Sequence, residues 1–525
     1  MKNLLLKVFL LKIFLVFNFA TSVHAVPFPS LHVALDDPML NHIYNFTDYM
    51  LVKYSIFPFH QNIRPYTHLK LKTVLKSFKE KNLSILERKM VVSYLDYLNN
   101  IKSLANYQVN ESQFSLDLES GFYFTSKNQP MGKSGNEIGL QIRPILNGQL
   151  GNGLSFSTDL RFFFITGQNF QDTIRTEVEV EQIGEDAFDT AGLAPAYIQL
   201  NLLGFDLLIG KQNLSWGPGR YGNLLLSDHS IPMEMIYLRG EYSKIAFQAF
   251  QAIGQSSFGN KILSGHRIDL NLFPRLSLGI SEIIVIGADK FDPRFLNPVS
   301  IYTISEISGG GILNSNVKTS LGNLLISGDF DLKIFDNIRV YMEVMIDDFQ
   351  PRYRLQSHLH WGSKWGVLAG LQMIDIFSLN GTNISFEYAF LNQYTYTHNT
   401  PINAYTHLGR PIGHHIGPDA QSIWFEVRHH WTSLFATEIS FELQHQGQQN
   451  INVPRDYKRP ADEKWHCLSG TEEIQKHFRL TSRFDNYGSL LLEATYALTH
   501  VENVKHLFQQ QSNLHELSFL SLYRF

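Results

Sequence analysis

The stretch Glu516-Leu517-Ser518-Phe519-Leu520-Ser521-Leu522-Tyr523-Arg524-Phe525 alternates. Leu517, Phe519, Tyr523 and Phe525 fall on one face of a period-two pattern, interrupted only by Ser521, and Glu516, Ser518, Leu520, Leu522 and Arg524 take the other. Successive side chains of a β-strand point to opposite faces, so this end is expected to be a strand with an aromatic edge in one environment. An ordinary sheet strand at the end of a soluble domain would share the pattern. A strand that closes a cylinder against the first strand of an outer-membrane barrel explains the terminal aromatic as well.

The other end points the same way. Lys2, Lys7 and Lys12 intersperse an apolar run from Leu4 to Ala20, and Val23-His24-Ala25 has the small-residue form of a signal-peptidase site. This predicts a secretory signal over residues 1–25, cleaved before Val26. Beyond it no run reaches the roughly 18 apolar residues of a spanning helix, and no lipobox cysteine precedes the cleavage site. Cys467 is the only cysteine, which excludes an internal disulfide and CxxC-type zinc or redox sites.

Of the 525 residues 13% are aromatic, including 39 Phe and 23 Tyr, and only 18% are charged. That balance suits a barrel with a lipid-facing surface and aromatic girdles, although a large secreted β-sandwich or β-helix could share it. The net charge of −4 gives no reason to expect a nucleic-acid partner.

From about Asp36 to Ile101 the periodicity is helical. Asp37-Pro38 reads as an N-cap followed by Pro at the first helical position. Arg64-Pro65-Tyr66-Thr67 marks a break and a new cap before Leu71, Val74, Leu75 and Phe78, and Ser84 with Glu87 forms a capping box for a third helix. The expectation is a small periplasmic helical bundle over residues 26–109. Lys70, Lys72, Lys76, Lys79 and Lys81 cluster on the second helix, as a solvated face or as an attraction to anionic headgroups or an acidic polymer.

After about Asn110 alternation takes over. Ile338, Val340, Met342, Val344 and Ile346 interleave with Arg339, Tyr341 and Glu343; Ile423, Phe425 and Val427 interleave with Trp424, Glu426 and Arg428. At roughly ten residues per tilted strand plus turns, residues 110–525 allow about 16 to 20 antiparallel strands, and we expect about 18 in an all-β transmembrane barrel. Such a barrel is wide enough for an aqueous lumen unless something fills it. Leu203-Gly204, Asp336-Asn337 and Asn486-Tyr487-Gly488 are expected as short turns at one end; Gln171 to Ala191, Thr397 to Gln421 and Gln446 to Glu473 are expected as outer loops or plugs.

The densest segment is Gly210-Lys211-Gln212-Asn213-Leu214-Ser215-Trp216-Gly217-Pro218-Gly219-Arg220-Tyr221-Gly222-Asn223, continuing to Asp228. Its glycines and proline predict an irregular excursion between two strands. Trp216 then either plugs a gap or, with Tyr221, stacks on sugar rings while Arg220, Asn223 and Asp228 bond hydroxyls or carboxylates. The segment resembles the Wzi-type capsule-assembly outer-membrane proteins, which carry a comparable Trp-Gly-Pro-Gly stretch. The likeness continues through Gly265-His266-Arg267-Ile268, Gly279-Ile280-Ser281-Glu282, Leu296-Asn297-Pro298, Asp347-Asp348-Phe349 and Gly413-His414-His415-Ile416-Gly417-Pro418-Asp419-Ala420. The resemblance implies a large barrel with periplasmic helices that holds or organises capsular or extracellular polysaccharide at the cell surface. Expected partners are that polysaccharide, outer-membrane lipid and the polysaccharide export machinery, with no cofactor. Motif candidates for polysaccharide contact are Trp216, Arg220, Tyr221, Asn223, Asp228, Arg267, Glu282, Asp348, His414 and Asp419.

Two further chemistries find their residue types in this chain but not the arrangement they need. His414-His415, His429-His430 and Asp347-Asp348 invite a metal site, but adjacent strand residues diverge, so none is expected. Ser227, Ser281, His266 and Glu282 supply residue types for an acyl hydrolase, yet neither serine has a nucleophile elbow, and no enzymatic activity is expected. The alternative to a polysaccharide-organising protein is a diffusion porin using an open lumen lined by Arg339, Glu343, Glu426 and Arg428. The Thr397–Gln421 loop is expected to contribute polar contacts to polymer without bearing on barrel assembly.

Overall fold

The structure, a computed structural model, describes residues 23–24, 30–128, 134–151, 153–167, 180–182, 190–202, 204–288, 295, 297, 299–304, 322–348, 364–453 and 468–525. The signal segment (apart from Val23 and His24), Cys467, Phe349 and most of the expected loop from Gln171 to Ala191 lie outside the described residues, as do Leu296, Pro298 and the Asp348 side chain.

Eighteen long antiparallel strands close into a barrel. They are β1 (Ser112–Asn128), β2 (Gly135–Leu150), β3 (Leu154–Gly167), β4 (Thr190–Leu202), β5 (Phe205–Gln212), β6 (Met233–Tyr242), β7 (Ile245–Ser256), β8 (Gly259–Phe273) and β9 (Leu276–Gly287). The second half comprises β10 (Asn323–Phe335), β11 (Ile338–Asp348), β12 (Lys364–Ile374), β13 (Thr382–Leu391), β14 (Ala420–His430), β15 (Phe435–Gln446), β16 (Glu473–Asp485), β17 (Leu490–Glu502) and β18 (Gln511–Arg524). The terminal strand closes the wall as expected: β18 pairs with β1 from His515↔Asn128 to Arg524↔Glu119. The sheet reaches slightly further back than residue 110, because Ala105–Val109 pairs with the start of β1.

Burial shows which solvent each face meets. On β11 the charged residues Arg339 and Glu343 are 4% and 1% exposed, whereas Val344 and Ile346 are each 38% exposed. A water-soluble sandwich would reverse this order. Aliphatic side chains outside and charges inside are what a wall between lipid and a polar interior requires. Leu517, Phe519 and Tyr523 join the outer belt, and Arg524 is buried inside. No described helix is long and apolar enough to cross a membrane.

The turns Gly204, Asp336-Asn337 and Asn486–Gly488 each follow an even-numbered strand, so antiparallel order places them at one end. Three helices sit against that end: α1 (His42–Lys53), α2 (His68–Phe78) and α3 (Ile85–Asn99). The Thr67 hydroxyl accepts from the Lys70 amide at 3.1 Å. Ser84 and Glu87 exchange the two capping-box bonds at 3.2 and 2.7 Å. The first helix starts later than Asp37-Pro38 suggests, with Asn41 as its N-cap. Asp37 instead accepts from the Met39 amide at 2.9 Å and faces Arg143 at 3.0 Å, a pull from the barrel wall that local sequence does not register. The helical region is tied to the turns: Lys53 and Tyr49 bond Asp375 at 2.5 and 2.7 Å, and Lys70 reaches Glu241 at 2.9 Å. Within the lysine cluster, Lys76, Lys79 and Lys81 are exposed, while Lys70 is drawn in over the Phe59 and Tyr66 rings.

Candidate functional site

A cylinder of this size leaves a wide lumen, and three chain segments fill it. From the short-turn end, Ile63-Arg64 enters and pairs with Ser215-Trp216. From the opposite end, residues 213–232 descend between β5 and β6, and residues 392–419 descend between β13 and β14. Ile63, Leu214, Trp216, Leu224, Leu225, Leu226, Tyr396, Tyr405 and Ile412 share one buried apolar cluster with inward residues of the wall. The excursion requires glycine where the chain doubles back: Gly217 has φ +129°, and a Cβ there would overlap Asn223.

Two wall carboxylates hold this excursion by its backbone. Glu343 accepts from the amides of Leu224 and Leu225 at 2.7 and 3.0 Å, and Glu387 accepts from those of Arg220 and Tyr221 at 2.8 and 3.3 Å. Arg339 donates to the Pro218 carbonyl at 2.9 Å. Tyr405 donates to the Leu225 carbonyl at 2.7 Å, and Tyr396 to that of Leu224. Two of the charges that an open porin would present to solute, Arg339 and Glu343, therefore anchor a plug. Arg428 is likewise engaged, with Glu438.

The expected site residues separate into two kinds. Trp216 is fully buried, donates its indole N–H to Gln248 and lies edge-on to Phe250 at 5.2 Å, so it fills a gap and offers no platform for a sugar. Arg220 is tied to Asp48 at 2.9 Å and Asn45 at 3.1 Å. Asn223 bonds Ser215 Oγ at 3.0 Å and accepts from the Gly219 amide at 2.8 Å. Arg267 is sunk between Asp269 and Asp329 at 2.7 and 2.6 Å. Glu282 anchors the Tyr302 amide at 2.8 Å and the Thr303 hydroxyl at 2.6 Å, beside His266. Asp419 accepts from the amides of Gln449 and Ser469 at 3.0 and 3.1 Å, stapling together the two ends of the segment between β15 and β16. All of these are internal ties rather than free ligand groups. The Thr397–Gln421 loop is corrected in the same sense: Thr397, Asn403, Thr406, His407 and His414 are buried, because the loop is part of the core that fills the lumen.

Tyr221 and Asp228 are different. Tyr221 is half-buried and stacks on Trp424 at 4.8 Å with 8° between the ring planes; its hydroxyl donates to Glu442 at 2.9 Å. His415 meets Tyr221 edge-on at 4.8 Å and lies 3.2 Å from Glu442, which also accepts from Ser422 at 2.7 Å. His229, exposed like its neighbour Asp228, lies 5.0 Å from His415. The result is a cluster of rings and polar groups between the 213–232 excursion and strands β14 and β15. Burial lowers the pKa of His415, and the Glu442 hydrogen bond opposes that shift. Burial, with His415 and His229 adding to it, drives His414 well below its ordinary range, and its Nε2 has no hydrogen-bond partner. No group of three or more potential metal ligands occurs among the described residues.

Sequence reasoning missed His415, Trp424 and Glu442 as members of this cluster, because a strand pattern says which face a residue takes and not which loop lies on it. It also missed the amide-rich run Gln444-His445-Gln446-Gly447-Gln448-Gln449-Asn450, in which Gln448 and Asn450 are exposed, and Phe508, which is 75% exposed in the turn between β17 and β18. The density of amides was legible as composition.

A family model described as capsule assembly protein Wzi matches residues 126–515. Among solved structures, the fold is similar to Wzi of Escherichia coli, described as an outer-membrane protein involved in group 1 capsule assembly and a carbohydrate-binding β-barrel. The match has a TM-score of 0.57 and 15% identity, and covers 91% of this chain and 97% of that one. The outer-membrane protein OprD from Pseudomonas aeruginosa matches at a TM-score of 0.43 and 9% identity, covering 78% of this chain and 93% of that one. No curated protein matches the sequence.

Proposed function

Since this chain belongs to the Wzi family of capsule assembly proteins, we propose that it binds capsular or extracellular polysaccharide at the outer face of the outer membrane and organises it there without chemical turnover. The observation that carries this reading is the filled lumen. A barrel whose interior is occupied by the 213–232 and 392–419 segments and by Ile63-Arg64 is not built to pass bulky solute, so its work falls to its surface. The carbohydrate binding described for the Escherichia coli structure supports the same ligand class.

Bacterial barrels carry short periplasmic turns and longer outer loops, which puts Tyr221, Asp228, His229, Gln448, Asn450 and Phe508 on the outward side. Rings and side-chain amides at such positions offer stacking surface and hydrogen bonds to sugar hydroxyls. Each contact is weak, but a repeating polymer engages many at once and gains avidity. The polysaccharide export machinery is the partner expected on the opposite, short-turn side.

The test is a deletion strain known to make a capsule, with cell-bound and shed polysaccharide measured separately. Polymer synthesis and export are expected to continue while a larger share is shed. An unchanged ratio of bound to shed polymer refutes the proposal.

A further inference from the structure

The lumen is not filled uniformly. Between α1, α3 and the inner faces of β14 to β17, at the short-turn end, lies a cavity of about 280 Å³. Its wall carries Arg428, Arg479, Arg483, Glu438 and Glu493, with Tyr94 from α3 on the other side. Most of these charges are matched. Arg428 pairs with Glu438, Arg483 with Glu493 at 2.5 Å, and His42 with Asp485 across the rim.

Arg479 is left over. It sits on β16 opposite Ser440 of β15 and Ala497 of β17, so neither neighbouring strand supplies a carboxylate directly across from it. Its side chain is exposed and forms no hydrogen bond or ion pair among the described residues, with Glu438 diagonally across on β15 attracting it from beyond ion-pair distance. A guanidinium presents a planar fork of donors matched to a carboxylate. Around it, Thr481 and Thr495, which share one hydrogen bond at 3.0 Å, and Asn45, whose Oδ1 already accepts from Arg220, keep further hydroxyl and amide capacity on the same cavity, and the size suits one hexose-sized unit rather than a chain.

We propose that this cavity is a binding site for a single hydroxylated carboxylate of the uronic acid class, with Arg479 receiving the carboxylate and the threonine and asparagine side chains receiving ring hydroxyls. The site lies on the short-turn side of the cluster around Tyr221, within electrostatic reach of it, and the proposal does not depend on polymer being held there.

The experiment uses the full purified protein in detergent, titrated calorimetrically with D-glucuronate and, in parallel, with D-glucose and acetate. Glucuronate is expected to bind at least about tenfold more tightly than either, because only it meets both the cation and the hydroxyl groups. Arg479→Gln is expected to weaken glucuronate about tenfold or more, and Arg479→Lys to restore part of that loss. Heat-modifiable gel mobility serves as the folding control, and an exposed residue with no ion pair is expected to leave it unchanged. Thr495→Leu, which narrows the cavity without touching the charge, is expected to weaken glucuronate and spare acetate. Cell-bound polysaccharide in the Arg479→Gln strain is expected to match wild type. Binding that survives Arg479→Gln undiminished, acetate as tight as glucuronate, no saturation by glucuronate up to about 10 mM, or loss of polymer retention in that strain would each overturn the proposal.

Discussion

Replacing Trp216 with alanine separates a plug residue from a sugar platform. The indole is fully buried, its N–H is bonded to Gln248 and its ring lies edge-on to Phe250 at 5.2 Å. Removing a fully enclosed Trp costs about 3–5 kcal/mol in lost transfer energy and residual cavity. Stripping Gln248 of its only donor adds about 1–3 kcal/mol. The sum, on the order of 4–8 kcal/mol, exceeds what the local contacts of an excursion can absorb, but the ladder from β1 to β18 does not pass through residue 216. The plug should therefore loosen inside an intact wall. Heat-modifiable mobility is expected to persist, while planar-bilayer recordings show frequent or sustained openings that the wild-type protein lacks. Trp216→Phe, which keeps most of the ring volume, should lie between the two. Unchanged conductance in Trp216→Ala combined with reduced polymer retention would refute this reasoning and return Trp216 to the role of a sugar platform.

Three further outcomes follow from the same contacts. Asp37→Asn weakens the latch between the N-terminal segment and Arg143, at a cost of about 1–3 kcal/mol, since Glu119 and Asp159 still neutralise the guanidinium. Hydrogen exchange should rise over residues 30–60 but not along β1 to β3, and equal protection in both proteins would count against the latch. Acid should loosen the same segment, because burial holds His60 and His68 near a pKa of about 4 against an ordinary 6.5. The released segment binds protons that the docked one excludes, so docking is strongest above pH 6.5 and weakens as pH falls toward 4, by up to on the order of 3 kcal/mol per histidine. Protection, corrected for the intrinsic base-catalysed rise of exchange with pH, that is highest at pH 5 and lowest at pH 8 would reverse the sign and refute it. Finally, alanine at the exposed Asp228 and His229 should raise the shed fraction of polysaccharide at a stability cost of about 1 kcal/mol for the lost bond between His229 and the Tyr221 carbonyl; full retention by that variant removes the pair from the proposed surface.

Period-two patterning is a local property, so the lipid-facing and lumen-facing sets were readable along the chain before any contact was known. Ile338 to Ile346 face outward and Arg339 and Glu343 face inward, as the alternation implies. Caps are local too, and Thr67 and Ser84 open helices as their residue types suggest. The closing partner of β18 follows from the same logic, since a cylinder has no free edge. Asp37 marks where this reach ends, because a contact with Arg143, 106 residues away in the chain, competes with the cap that the local sequence suggests. What an inward charge does is decided only by tertiary structure. Glu343 holds the amide of Leu224 across 119 residues of chain, and Trp216 finds Gln248 across 32. Nothing in the spacing of either residue encodes which segment will enter the lumen beside it. Arg339 and Arg479 look alike in sequence, each an arginine on an alternating strand, and the fold spends one on a plug while leaving the other facing a cavity. Electrostatic and packing energies depend on distance through space, and the loops that set those distances carry no period of their own.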